Sequence, residues 1–168
     1  MILKNCVKYA SNWNLPHKFA TNLLKMKTNR SHCPLTNALD IFGDKWSLII
    51  IRDLFLGKKT FTEFMNSNEK IASNILTNRL DFLINNGLLK VTKLPNDNKT
   101  KIYYLTNKGI DMYPIVYEMM CWSKRNLDKE FGPIGKQILM DMEGITANQF
   151  IEKKQSSYIK HREHILSA

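Results

Sequence analysis

Acidic residues are scarce in this chain of 168 residues: 15 Asp and Glu stand against 25 Lys and Arg, a formal net charge of +10. The first acid is Asp40, after a stretch carrying Lys4, Lys8, Lys18, Lys25, Lys27 and Arg30. That balance favours a polyanionic partner. The acids are also too scattered to form a pair of catalytic carboxylates. Long apolar runs are missing too. "LIII" at 48–51 is the longest strongly apolar run, and Arg52 and Asp53 end it, far short of the roughly 20 residues a membrane span needs. No membrane partner is expected. Cysteine is sparse: Cys6, Cys33 and Cys121 are odd in number and widely spaced. This excludes a disulfide framework and a CxxC zinc site, and it implies a reducing, cytoplasmic setting. There is no phosphate loop, nucleophile elbow or HExxH motif, so neither an enzyme nor a cofactor is expected. His161 and His164 have helical spacing but no third ligand, so no metal is expected. The N-terminal region lacks a secretory apolar core and is rich in Lys and Asn, so it reads as a basic extension.

What is present suits a globular domain with a real core: 43% hydrophobic and 24% charged residues. In "CPLTNALDIFGDKWSLIIIRDLFLG", two helical patterns meet at Gly43. Pro34 suits a first helical position, Asp44 an N-cap, and Gly57 a stop. Trp46 is expected in the core. Thr60 and Glu63 have capping-box spacing ahead of a short helix bearing Phe61, Phe64 and Met65. The next helix, over about 72–86, turns Ile75, Leu76, Leu80 and Leu83 to one side. Its other side carries Asn74, Thr77, Asn78 and Asp81. "LLKVTKL" and "TKIYYLT" flank the turn signal "PNDNK" and predict a hairpin. A long helix should begin near Asn107, capped by Thr106, with Pro114 kinking it or marking its true first turn. "KQILMDME" and a segment from about Ala147 complete a helical tail.

Helices followed by a two-stranded hairpin predict a mainly α protein with a small β-hairpin, a winged helix-turn-helix with flanking dimerisation helices. In such a fold the second helix of the helix-turn-helix enters the major groove, where Asn, Ser and Thr read base edges and carboxylates would repel phosphate. Ser73, Asn74, Thr77 and Asn78 are therefore candidate base contacts. Lys93, Asn98, Lys99 and Lys101 on the hairpin are candidate backbone or minor-groove contacts, and Lys58 and Lys59 could reach the backbone as well. Arg79 lies nearer the apolar side, which leaves open an internal ion pair or a phosphate contact.

"CPLTNALDIFGDKWSLIIIRDLFLGKKTFTEF" followed by "IASNILTNRLDFLINNGLL", with the "YYLTNKG" junction, resembles the HxlR-type winged helix-turn-helix regulators of bacteria over roughly residues 33–125. The resemblance implies a homodimeric, DNA-binding transcriptional regulator with duplex DNA and a second copy as partners. It also implies that the first helix and the helix after the wing form the dimer contact, here Leu35, Leu39, Ile110, Tyr113, Tyr117, Met120 and Trp122. Parts of this family carry a cysteine that senses oxidants or electrophiles where Cys33 stands, which makes Cys33 a candidate thiol sensor for a small electrophile or oxidant. Its place before Pro34, at a helix start, favours thiolate. Cys121, beside Trp122, is expected to be buried. Phe82 departs from the family pattern and is expected to pack under the wing.

The chain thus divides into a basic N-terminal extension (1–30), the winged helix (31–125) and a C-terminal helical tail (126–168). "MKTNRSHCPL" from Met26 looks like a complete family N-terminus, so residues 1–25 read as an addition from an upstream start, with a basic helix around Phe19–Met26 as one form for it. The alternative function is a winged-helix adaptor that binds protein without specific DNA binding. Such a module would not need a basic wing.

Overall fold

Among the described residues, ten elements follow one another: α1 (Pro34–Phe42), α2 (Ser47–Phe55), α3 (Phe61–Met65), α4 (Ser73–Asn85), β1 (Leu89–Leu94), β2 (Asp97–Leu105), α5 (Asn107–Ile110), α6 (Tyr113–Asn126), α7 (Pro133–Asp141) and α8 (Ala147–Ser167). They come from a computed structural model that describes residues 31–94 and 97–167, with side chains at all of these except 94, 97 and 98. The expectations for residues 1–30 and for the Asn98 side chain lie outside these residues. The winged helix belongs to one compact unit that begins at Ala38.

Local chemistry sets the helix boundaries. The N-cap position of α2 falls at Trp46 rather than at the expected Asp44, which instead holds the turn into the helix: its carboxylate accepts from the backbone N–H of Trp46 at 2.8 Å and of Ser47 at 3.0 Å. The buried Ser47 hydroxyl donates to the other oxygen of Asp44. Before α3 the capping box forms in full. The Glu63 N–H donates to the Thr60 hydroxyl, and the Glu63 carboxylate accepts from the Thr60 N–H at 2.7 Å. The turn into α4 holds Lys70 at φ 52°, a left-handed conformation that is uncommon for a side-chain-bearing residue.

The apolar faces converge on one core. Ile50, Ile51 and Leu54 of α2 meet Phe64 of α3, Leu76, Leu80 and Leu83 of α4, and Leu89 and Leu105 at the base of the hairpin. Each such side chain, fully buried, contributes about 1.5–3 kcal/mol. Trp46 packs against this core but stays half-buried, with the Lys45 ammonium over its ring. The strands pair antiparallel from Leu89 opposite Leu105 to Lys93 opposite Lys101, with an irregularity after Lys93. The far edge of β2 is held to the start of α3, where the Tyr103 N–H donates to the Lys59 carbonyl at 2.7 Å and Thr60 bridges to Ile102.

The "LTNKG" junction locks the base of the wing. The Thr106 hydroxyl donates to the Gly87 carbonyl at 2.7 Å and accepts from the Gly109 N–H at 3.2 Å. A Cβ on Gly109 would sit 2.2 Å from the Leu88 carbonyl oxygen, so only glycine lets α5 approach so closely. The long helix expected from Asn107 is two helices, α5 and α6. Pro114 has no N–H and its ring would clash with a helical carbonyl four residues back, so the chain breaks at 111–112 and restarts with proline in the first turn of α6.

The C-terminal helix closes the core. Phe150, Tyr158 and Ile165 of α8 are buried. The Tyr158 hydroxyl accepts from the Leu105 N–H at 2.9 Å, Arg162 donates to the Leu105 carbonyl at 3.0 Å, and Gln155 donates to the Ile110 carbonyl at 3.1 Å. Thus α8 clasps the junction between the wing and α5. Among the described residues, no helix is long and apolar enough to cross a membrane.

Candidate nucleic-acid interface

Helix α4 presents Ser73, Asn74, Thr77, Asn78 and Asp81 on one exposed face, opposite the buried Leu76, Leu80 and Leu83. Asn74 and Asn78 are fixed by the helix and reach outward. The Thr77 hydroxyl donates to the Ser73 carbonyl at 2.9 Å, so what it has left to offer is its methyl group and its acceptor lone pairs. Ala72 precedes the helix and gives no side-chain cap. The first-turn N–H groups therefore have no side-chain acceptor there, which suits an approaching phosphate.

A groove of about 450 Å³ separates α4 from the wing. Thr77 and Asp81 form one wall, Lys99, Lys101 and Tyr103 the other, with Thr60 and Thr62 at one end. Lys101 and Tyr103 share a wall because alternate residues of a strand face the same way. Burial pushes the Tyr103 hydroxyl pKa up, and the Asp81 carboxylate across the groove adds to it. Lys93 stands directly opposite Lys101 in the register, and both are exposed. Two like charges opposed across a hairpin cost stability, by about 0.2–1 kcal/mol for a typical pair. Thr60, Thr62 and Tyr103 are groove residues that the sequence reading passed over. Alternation from Lys101 could have flagged Tyr103, whereas the two threonines reach the groove only through the packing of α3 on β2.

Other cations have internal duties. Arg79 forms an ion pair with Asp44 at 3.3 Å, which ties α4 to the start of α2, and its guanidinium stacks on Phe82. Partial burial pushes the Asp44 pKa up. Hydrogen bonds from Ser47 and the Trp46 and Ser47 backbone, together with Arg79, outweigh this and hold it below the ordinary carboxylate value. Lys58 does not extend toward solvent: its ammonium bonds the buried Asp53 at 2.9 Å and Ser67 at 2.7 Å. Asp53 also pairs with Arg52 at 2.6 Å, and Arg52 reaches Glu69 at 2.6 Å. This network fixes the turn between α3 and α4, so Lys58 is structural.

The candidate dimer residues fall into two groups. Ile110 and Tyr113 are buried in the protomer's own core, and the Tyr117 ring packs at 5.7 Å from Phe150. Met120 is half-buried against the core. Leu35, Leu39 and Trp122 are exposed. On α6, Ile115 and Met119 join Trp122 in an exposed apolar strip that the sequence reading missed, because the break before Tyr113 shifts the phase of the helix.

Cys33 lies exposed just before α1, and Cys121 is half-buried rather than buried. Hydrogen bonds from the Thr36 backbone, the Thr36 hydroxyl and the Leu35 backbone hold the Cys33 thiol pKa below its ordinary value. Among the described residues, no cluster of His, Cys, Asp and Glu could hold a metal.

The HxlR-like helix-turn-helix family model matches residues 41–131, more than half of the chain. The chain belongs to this family. It is 32% identical over 97 residues to the HTH-type transcriptional regulator YdeP of Bacillus subtilis, covering 58% of this chain and 76% of YdeP. Over 92 residues it is 32% identical to the HTH-type transcriptional regulator YodB of the same organism, covering 54% of this chain and 82% of YodB. Among solved structures, the redox regulator HypR in its oxidised form superposes with a TM-score of 0.53 at 32% identity, over 58% of this chain and all of that one. This HxlR-like chain is thus a transcriptional regulator of the helix-turn-helix type, and its family and relatives are not enzymes. The match ends at Phe131, so α7 and α8 lie beyond it.

Proposed function

We propose that this regulator binds duplex DNA sequence-specifically as a homodimer, with α4 in the major groove and the wing on the flanking backbone. The observation that carries this reading is the pairing of an exposed amide- and hydroxyl-bearing face on α4 with Lys93 and Lys101 opposed on the wing beside it. An opposed lysine pair is a stability cost that an anionic partner removes. A protein-binding adaptor gains from it only where its partner's surface is acidic. Self-association is supported by the exposed Ile115, Met119 and Trp122 on α6 and by Leu35 and Leu39 on α1. Two recognition helices then read half-sites about one helical turn, or a multiple of it, apart.

Cys33 is the proposed response element. It is exposed, its thiol is biased toward thiolate, and it opens a helix proposed to lie in the dimer contact. Modification there would alter the spacing of the two α4 helices, and both half-sites must fit at once. The test is fluorescence anisotropy with duplexes from the DNA upstream of the protein's own coding sequence, before and after diamide, for wild type and Cys33→Ser. The expected result is specific binding that falls with diamide in wild type only. Full modification of Cys33 with unchanged affinity would remove the sensor, and equal affinity for upstream and random DNA would favour the adaptor.

A further inference from the structure

Beyond the groove, helix α7, which lies outside the family match, helps to build a second concave site. A cavity of about 240 Å³ lies between α2, α6 and α7. Leu48 and Ile49 line it from α2, Met119 and Met120 from α6, and Ile138 and Leu139 from α7. None of these six side chains is fully buried, so an occupant would gain contact area from each. A smaller apolar cavity of about 150 Å³ stays dry and takes benzene, which scales to roughly ten non-hydrogen atoms here. Methionine is adaptable and suits a wall that moulds to a guest.

The polar side chains in the lining are Arg52 and Ser123. Arg52 donates three N–H groups to Asp53 and Glu69, which leaves two of its five. Its charge is already met by those two carboxylates, so a ligand anion gains little, whereas a neutral oxygen acceptor finds donors in Arg52 and in the Ser123 hydroxyl. We propose that this cavity is a binding site for a small, uncharged, flat hydrophobic molecule carrying one ketone- or ether-type oxygen. Three walls from one protomer, rather than a single exposed face, favour a small molecule over a side chain of a second copy. Met119 lines both this cavity and the exposed strip of α6, so the occupant touches the proposed dimer contact. That link alone rests on the proposed dimer; the binding does not.

The probe is 1-tetralone, titrated into the full chain without DNA and followed by calorimetry and ligand-observed NMR. Tetralin, which lacks the oxygen, and 2-naphthoate, which is charged, serve as comparisons. The expected result is saturable binding of one 1-tetralone per chain, with both comparison compounds at least tenfold weaker. Ser123→Leu and Ile138→Phe, each filling the cavity from a different helix, should weaken binding at least tenfold with an unchanged circular dichroism spectrum. If one variant fails to fold, the other carries the comparison. Absence of binding up to millimolar probe, or equal binding by a folded filling variant, would overturn the site. Equal binding of tetralin would overturn the oxygen-acceptor chemistry. Displacement of the probe in step with self-association in sedimentation would assign the cavity to a side chain of a second copy, and would overturn the proposal as well.

Discussion

Replacing both Lys93 and Lys101 with Gln should stabilise the protein while weakening its hold on DNA. The two side chains are paired directly across the hairpin and both are exposed. Removing the like-charge opposition should add a few tenths to about 1 kcal/mol, with the lower end favoured by solvent screening. For a chain of this size that raises the melting temperature by about 1–3 °C. The effect on DNA is much larger. In the proposed dimer on DNA, two lysines from each subunit would make about four phosphate contacts, each contributing about 0.9 to the slope of log K against log salt concentration. The double variant should therefore lose about three to four units of slope. Between 50 and 200 mM salt its affinity should fall about a hundredfold less than that of wild type. Differential scanning fluorimetry and anisotropy titrations at four salt concentrations, on specific and random duplexes, measure both effects. A lower melting temperature together with an unchanged slope would show that the lysines serve the hairpin and not a polyanion.

Asn74→Ala should reduce discrimination at one base position by about 1–3 kcal/mol and leave binding to random DNA nearly unchanged, as read by anisotropy on single-base operator variants. Uniform weakening on all sequences would instead make Asn74 a backbone contact. Because its thiol pKa is held down, Cys33 should keep its thiolate as pH falls further than an ordinary cysteine does, and should react with iodoacetamide faster than an unstructured cysteine peptide at neutral pH. Thr36→Val removes the hydroxyl donor and should slow that reaction; an unchanged rate would discount the hydrogen bond. Tyr158→Phe leaves the buried Leu105 N–H without its acceptor at 2.9 Å, which costs about 1–3 kcal/mol and lowers the melting temperature by about 2–4 °C per kcal/mol. A melting temperature equal to wild type would mean that water replaces the hydroxyl as the acceptor of the Leu105 N–H.

Patterns that repeat within a turn or a strand were legible directly. The capping box of Thr60 and Glu63, the apolar stripe of α4 and the existence of the hairpin each depend on residues a few positions apart. Their geometry follows from helical or strand periodicity alone. The polar face of α4 was legible for the same reason. The fate of single cations was not. Arg79 was open between an ion pair and a phosphate contact and Lys58 was a candidate backbone contact, yet Arg79 meets Asp44 and Lys58 meets Asp53 and Ser67. The sequence does not order such pairings, because each depends on which elements pack together. The dimer residues divided likewise: one break before Pro114 turned Tyr113 inward and left Met119 and Trp122 outside.

The sequence by itself determined most of the elements and their order, the excess of positive charge, the acid-poor exposed face of α4 and the family. All of these rest on local propensity and spacing. Tertiary structure alone decided that the wing and α4 share one groove, that α8 clasps Leu105, and that α7 closes a cavity against α2 and α6. Each of these joins residues tens of positions apart, and such contacts exist only once burial of the common core has brought their backbones together.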